Sequence, residues 1–453
     1  PVGHTVTGTG SMSLARSRTR PDHASRTTKS ISSAMNLITP RSPVRPISRR
    51  AFVTGSLVGL GAVPLGRPLH AAEERPANRP TKKLIGWGTD VAYPAKVQNT
   101  IRQVEELPLD GIVLSNFSGK KSGKDFTFDW ECFGRQKFDR QDLAPMIQIL
   151  ANTKFKRFTD NFLRFTVQPG DFDWFDDFRA PLHNARLWAE VAREVGAKGW
   201  KFDVEDYKDR LFVYSKQKLA ATKSFEEYAS QIRHRGRQMM EAIQSRFPDI
   251  VLLLSLAHSY VNRTPDAGRK LAQLSSYGLL PAFIDGLIEA AGPRVRIIDG
   301  QEQAYGYLTT EDYFRGYHDI KQRALELVPR RLWQKYRRKM EAGVAIFANY
   351  QLAVNRTTTR YWPPHYMTKE TRLRLFEQNI YHALKTTDEY AWLYSEHMGW
   401  WESGYQVPTP DGALQAIHTA REKFTANKPL GFDLDNEIAQ ARLKMKEATR
   451  RKK

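Results

Sequence analysis

Eight short runs of apolar and β-branched residues, each bounded by turn-forming residues, punctuate the chain at 84–90, 111–116, 162–167, 199–205, 250–257, 295–300, 344–350 and 390–396. Longer stretches with apolar residues at helical spacing lie between and after them, near 96–106, 140–153, 181–195, 224–246, 268–291, 311–341, 368–386 and 411–426. This alternation predicts an α/β fold with one catalytic domain, the (β/α)8 or TIM barrel. Eight parallel strands joined by right-handed helical crossovers close on themselves without leaving an edge. A doubly wound open sheet is the alternative. Such sheets usually carry a Gly-rich turn after the first strand, whereas here that strand runs into Thr89-Asp90-Val91-Ala92-Tyr93-Pro94, with neither G-x-G-x-x-G nor a P-loop.

The ends of the chain read differently from its body. Residues 1–47 are rich in Ser, Thr, Arg and Pro and poor in large apolar side chains, so they are expected to form a disordered leader. Over 48–72, Ser48-Arg49-Arg50-Ala51-Phe52 precedes a Gly-rich apolar run, and this segment resembles a twin-arginine export signal. Val53 stands where that pattern usually has Leu, and Thr54 where Lys is common. The apolar run is shorter than the roughly 18 residues of a membrane span, so a removable signal is expected rather than a stable span. The resemblance implies export to the periplasm or the exterior. Residues 73–430 are then the barrel domain and 431–453 a basic C-terminal helix and tail.

Charge and cysteine content narrow the classes of function. The formal net charge is +21. Residues 1–72 contribute +9 and residues 441–453 contribute +6, which leaves a mildly basic body and no footprint for a nucleic-acid partner. Cys132 is the sole cysteine, so neither an intrachain disulfide nor a thiolate metal cluster forms.

In a barrel the chemistry sits at the C-terminal ends of the strands, and the acids of this sequence gather there. Asp90 follows the first strand, Asp203, Glu205 and Asp206 close the fourth, Asp299 and Glu302 the sixth, and Glu396 the eighth. Strand alternation places Lys201, Asp203 and Glu205 on one face, toward the mouth. Candidate substrate contacts at the same rim are Trp87, Asp90, Lys201, Tyr207, His258, Tyr305, Tyr350, Trp400 and Trp401. Trp400 and Trp401 are adjacent indoles in a loop, an arrangement expected to resist joint burial. Facing carboxyls edged by aromatic rings suit glycosidic cleavage, in which one acid protonates the departing oxygen while a carboxylate attacks carbon or activates water.

On these residues the chain resembles the secreted β/α-barrel glycoside hydrolases. Lys201-x-Asp203 is similar to the strand-four signature of the α-galactosidase and α-glucosidase clan, which implies Asp203 as nucleophile, with Asp299 nearest in position to the clan's second Asp. Asp203-x-Glu205 is similar to the end of the chitinase-type motif, which implies Glu205 as the acid, although Lys201 stands where that motif has an Asp. Among the acids, Glu205 is the first choice for general acid/base, with Asp203 supporting or attacking, Glu302 the first partner and Glu396 the second. A carbohydrate ligand is expected, with no organic cofactor and no metal. Two other readings stand beside this one. A metal-dependent sugar isomerase or lyase would recruit His258 with Glu205, Glu302 and Glu396. A non-catalytic carbohydrate-binding barrel would keep the aromatics alone. Acyl transfer finds no G-x-S-x-G, and neither Ser255 nor Ser395 has a recognisable partner.

Overall fold

The computed structural model describes residues 81–88, 92–207, 210–262, 270–355, 359–401, 405 and 407–450. The leader and export segment expected over 1–72 and the candidate Asp90 lie outside the described residues.

Nine parallel strands form one sheet: β1 (Lys83–Trp87), β2 (Gly111–Leu114), β3 (Phe162–Thr166), β4 (Gly199–Asp203), β5 (Val251–Leu254), β6 (Arg296–Asp299), β7 (Met340–Ala342), β8 (Val344–Phe347) and β9 (Tyr390–Tyr394). The strand expected over 344–350 is shorter, Val344–Phe347, and a further strand, Met340–Ala342, precedes it across Gly343 at the end of the stretch expected to be helical. β7 pairs with β6 while β8 pairs with β9, and β9 pairs with β1. One stretch of chain thus carries the sheet from β6 round to β9, and the (β/α)8 barrel closes through it. Gly199 opens β4 because a Cβ there would lie 1.9 Å from the Val251 carbonyl oxygen of β5. Any side chain would push these two strands apart.

Pairing register fixes which side chains fill the barrel. Arg164 lies opposite Lys201 and Thr166 opposite Asp203; Lys201 lies opposite Leu253, which lies opposite Ile298. On the other side, Ile85 is opposite Trp392 and Trp87 opposite Tyr394. With a side-chain period of two, these positions share the inner face. Phe202 and Leu254 belong to the outer face, and so does Asp299, which is paired with Leu254.

The outer layer follows the expected helices, with corrections. Helix Phe225–Gln244 begins at a capping box in which the Glu227 amide donates to Ser224 Oγ at 3.2 Å and the Ser224 amide to Glu227 Oε2 at 2.8 Å. It buries Tyr228, Ile232, Gly236, Met239 and Ile243, one stripe at helical spacing. The stretch expected over 268–291 is a 3-10 turn, Leu271–Gln273, followed by helix Leu280–Ala290. The stretch expected over 311–341 breaks into helix Thr310–Lys321, two 3-10 turns and helix Trp333–Lys339. Pro329, which has no amide hydrogen, stands before the second turn. A hairpin of Ser118–Lys121 with Lys124–Thr127 is inserted after β2, a feature absent from the periodicity reading. Helix Asp435–Arg450 buries Ile438 and Ala441 and lies beside the turn Pro363–Tyr366. Among the described residues no helix is long and apolar enough to cross a membrane.

Candidate active site

The end of β4 delivers two acids into one buried cluster. Asp203 is fully buried, and Arg164 Nη2 of β3 meets its Oδ2 at 2.6 Å. Ser255 Oγ donates to Asp203 Oδ1 at 3.3 Å, and the Tyr207 hydroxyl lies 3.0 Å from Oδ2. The same hydroxyl reaches Glu205 Oε1 at 3.1 Å, so Tyr207 ties the two carboxylates together. Burial works against the Arg164 charge, but Asp203, Tyr207 and Asp129 together outweigh it and hold the guanidinium above its ordinary pKa.

The third acid arrives from the turn after β6. Gly300 permits that turn, since a Cβ there would stand 2.1 Å from the Leu254 carbonyl oxygen. Gln301 then adopts a left-handed conformation at φ 50°, and the Glu302 amide donates to the Ser255 carbonyl at 3.2 Å. These constraints aim the Glu302 carboxyl at Glu205, within hydrogen-bond reach. Burial, and next the Glu205 charge, push Glu302 well above the ordinary carboxylate range, while Lys201 pulls the other way. Glu302 Oε2 is buried with no hydrogen-bond donor among the described residues. A proton on Glu302 suits its approach to Glu205, because it converts two facing acceptors into a donor and an acceptor.

Lys201 lies beneath the acids, fully buried. Its Nζ donates to Ser255 Oγ at 2.5 Å and stands 4.3 Å from the ring centroids of both Trp87 and Trp392. Trp392 is itself fixed by its indole N–H, which donates to the Gly300 carbonyl at 2.7 Å. Arg164 lies over Trp130 at 4.0 Å from the ring centroid.

Tyr305 and Tyr394 stack at 5.6 Å and complete the wall. Burial raises both phenols, helped for Tyr305 first by Glu302 and for Tyr394 first by Glu396 and then Glu205. Tyr394 therefore links Glu396 to the acid pair, its hydroxyl 3.5 Å from Glu396 Oε1. The Glu396 backbone is held at both ends by Asn349, whose Nδ2 donates to the carbonyl at 3.0 Å and whose Oδ1 accepts from the amide at 2.7 Å.

Of the residues singled out in the sequence, the fold brings Asp203, Glu205, Glu302, Lys201, Trp87, Tyr207 and Tyr305 together, with Glu396 at the edge. It places others elsewhere. His258 is fully buried with its Nε2 3.1 Å from Asp285 Oδ1, and Asp285 also faces Arg233. This network lies between barrel and helices, so His258 does not join the carboxylates at the mouth. Asp299 is also turned outward, its Oδ2 accepting from the Ser259 amide at 3.3 Å, because strand parity assigns it to the outer face. Tyr350 packs against Trp362 in the turn Ala348–Gln351, its phenol faced by Arg442 and Asp312. Trp400 is buried and its indole donates to Ser395 Oγ at 2.9 Å, while Trp401 is half-buried with Lys96 5.5 Å above its ring. The two indoles are not buried together: Trp400 is buried, its polar edge meeting a hydroxyl partner, and Trp401 is only half-buried.

Sequence reading missed Arg164, Ser255, Tyr394 and Asn349. Arg164 left a usable signal: a guanidinium in the middle of the apolar run Phe162–Thr166, at the parity of the inner face, requires a buried anion. Ser255, read as lacking a partner, has two in Lys201 and Asp203. Among the described residues no group of three His, Cys, Asp or Glu side chains is arranged to hold a metal ion.

No family model and no curated protein matches the chain. Among solved structures, a β-mannanase from the blue mussel Mytilus edulis is similar over 78% of this chain and 94% of its own, at 10% identity and a TM-score of 0.37. A sugar phosphate isomerase/epimerase from Parabacteroides distasonis is similar over 77% of this chain and 99% of its own, at 10% identity and a TM-score of 0.31. Each is a distant likeness of overall form, and neither bears on the reaction of this chain.

Proposed function

We propose that the mouth of this barrel cleaves glycosidic bonds, with Glu302 as the protonated acid and Glu205 as the carboxylate. What carries the reading is the buried Glu205–Glu302 pair, one carboxyl raised and lacking a donor, the other facing it and bound by the Tyr207 hydroxyl. Two carboxyls whose surroundings push their protonation apart supply an acid and a base in one site. The sequence favoured Glu205 as the acid; the burial that raises Glu302 and the missing donor at its Oε2 favour the reverse assignment. Asp203 is engaged by Arg164, Ser255 and Tyr207, and we assign it the role of orienting Glu205 and Tyr207. The half-buried Tyr207 ring suits the apolar face of a sugar, whereas Trp87 and Tyr305 are buried against Lys201 and Tyr394 and back the site. Glu396 is the reserve partner across Tyr394. Export by the twin-arginine segment at 48–72 belongs to the same proposal and is supported by Arg49, Arg50 and the apolar run after them.

A panel of oligo- and polysaccharides tests this reading. The wild type is expected to release reducing ends, and Glu205→Gln and Glu302→Gln, folded by circular dichroism, to lose roughly 100- to 10,000-fold in kcat/KM. Full activity in either variant defeats the assignment. Binding without product, unchanged in both variants, points instead to a carbohydrate-binding barrel. Activity lost to a chelator and restored by a divalent cation points to metal-dependent chemistry.

A further inference from the structure

Lys201 is the charged side chain for which the proposed chemistry gives no task. An ammonium with no exposure is costly unless it is paired, and Lys201 is held on every side. β1 and β9 present the indoles of Trp87 and Trp392, and β5 is followed by the Ser255 hydroxyl, which in turn donates to Asp203. The ionisable groups that act on it are Asp203, Glu302, Glu205 and Arg164. Beyond Arg164 lies Asp129, whose carboxylate accepts from the Asn116 and Phe117 amides, and the Tyr207 phenol is kept neutral by burial.

Charge balance decides how this set is protonated. Among the groups that act on Lys201 itself, Asp203, Glu205 and Glu302 face Arg164 and Lys201, which leaves one negative charge in excess; Asp129, beyond Arg164, is raised by burial and adds to the excess only where it is ionised. One proton on the acid pair brings the set to neutrality, the least costly state away from water. Remove or discharge Lys201 and neutrality demands a second proton.

We infer that Lys201 is a positioning residue for the acid pair: its clamped ammonium holds Glu205 and Glu302 at one shared proton, so that one enters the reaction as acid and the other as carboxylate. This rests on reading that pair as the reacting groups, but its test needs no substrate. Burial, opposed by Asp203 and Glu302, draws Lys201 down to about 8, so the ammonium persists at neutral pH and discharges just above it.

Infrared difference spectra, each background minus its Glu302→Gln counterpart, follow the protonated carboxyl against pH. In Lys201→Gln and Lys201→Met that proton is expected to persist about one to two pH units higher than in wild type. Lys201→Arg is expected to reverse the shift. An unchanged midpoint in either neutral variant that folds overturns the inference. If neither folds, the wild type decides: the carboxyl signal must step where the Lys201 side-chain nitrogen titrates by NMR, and its absence overturns the inference. A shifted carboxyl with no glycan cleaved sinks the hydrolase reading alone, whereas glycan cleavage with an unmoved carboxyl sinks this inference alone.

Discussion

Arg164 and Asp203 meet across neighbouring strands, Nη2 to Oδ2 at 2.6 Å, with 8% and 0% of their side chains exposed. A pair so buried contributes little beyond an apolar substitute, but removing one member strands the other's charge. Arg164→Met is therefore expected to lower unfolding free energy by about 3–5 kcal/mol in a denaturant titration. Adding Asp203→Asn to it should recover part of the loss. A loss under about 1 kcal/mol would mean that Asp203 finds another cation in the folded state.

Glu302 and Lys201 should leave opposite marks on the pH dependence of stability. Glu302 is raised in the folded state, so above the ordinary carboxylate range the native protein holds a proton the unfolded chain has lost. Stability is then full at acid pH and falls as pH climbs through the folded pKa. Lys201 is lowered to about 8 from 10.5, so between those values the unfolded chain holds the extra proton and stability rises with pH. The unfolding free energy of Glu302→Gln minus that of wild type should therefore grow as pH rises above the carboxylate range. A flat difference would show that Glu302 titrates normally.

The strand order and the inner face of β4 were legible because they follow from local rules: apolar runs between turns, and a side-chain period of two. Lys201, Asp203 and Glu205 stand where that parity places them. The same rule, applied at the last residue of β6, turns Asp299 outward, but the exact strand end had to be known first. Glu302 joins the site through the left-handed Gln301 and the close approach at Gly300, neither of which periodicity encodes. His258 was misplaced because its chain position after β5 is right for the mouth; the short helix His258–Val261 carries its ring instead to Asp285.

Cys132 supplies a probe of the wall behind Asp129 and Thr166. It is fully buried, its Sγ 3.4 Å from the Thr166 carbonyl oxygen, and burial pushes the thiol well above its ordinary pKa of 9.0. Both inaccessibility and the scarcity of thiolate slow its reaction. In the native protein it is expected to resist a water-soluble disulfide reagent at neutral pH, then to react with one equivalent per chain in denaturant. Rapid native labelling would reveal opening of the turn Phe128–Glu131 on the time scale of the assay.

The closeness of Glu205 and Glu302 bears on stereochemistry. Inverting glycosidases hold their carboxyls about 6.5–9.5 Å apart to admit a water between base and sugar, whereas retaining enzymes hold them about 5–5.5 Å apart and attack directly. Here the two face each other as hydrogen-bond partners, closer than either spacing, and a sugar entering between them must part them by about 2 Å to reach the shorter one. Proton NMR of the first-formed product is thus expected to show retained anomeric configuration, with Glu205 as nucleophile. Azide should then rescue a small nonpolar replacement at that position: Glu205→Ala with added azide is expected to yield the glycosyl azide of opposite configuration. An inverted first product would remove Glu205 from that role and bring forward Glu396, set apart from the pair by the Tyr394 phenol, as the base that activates water.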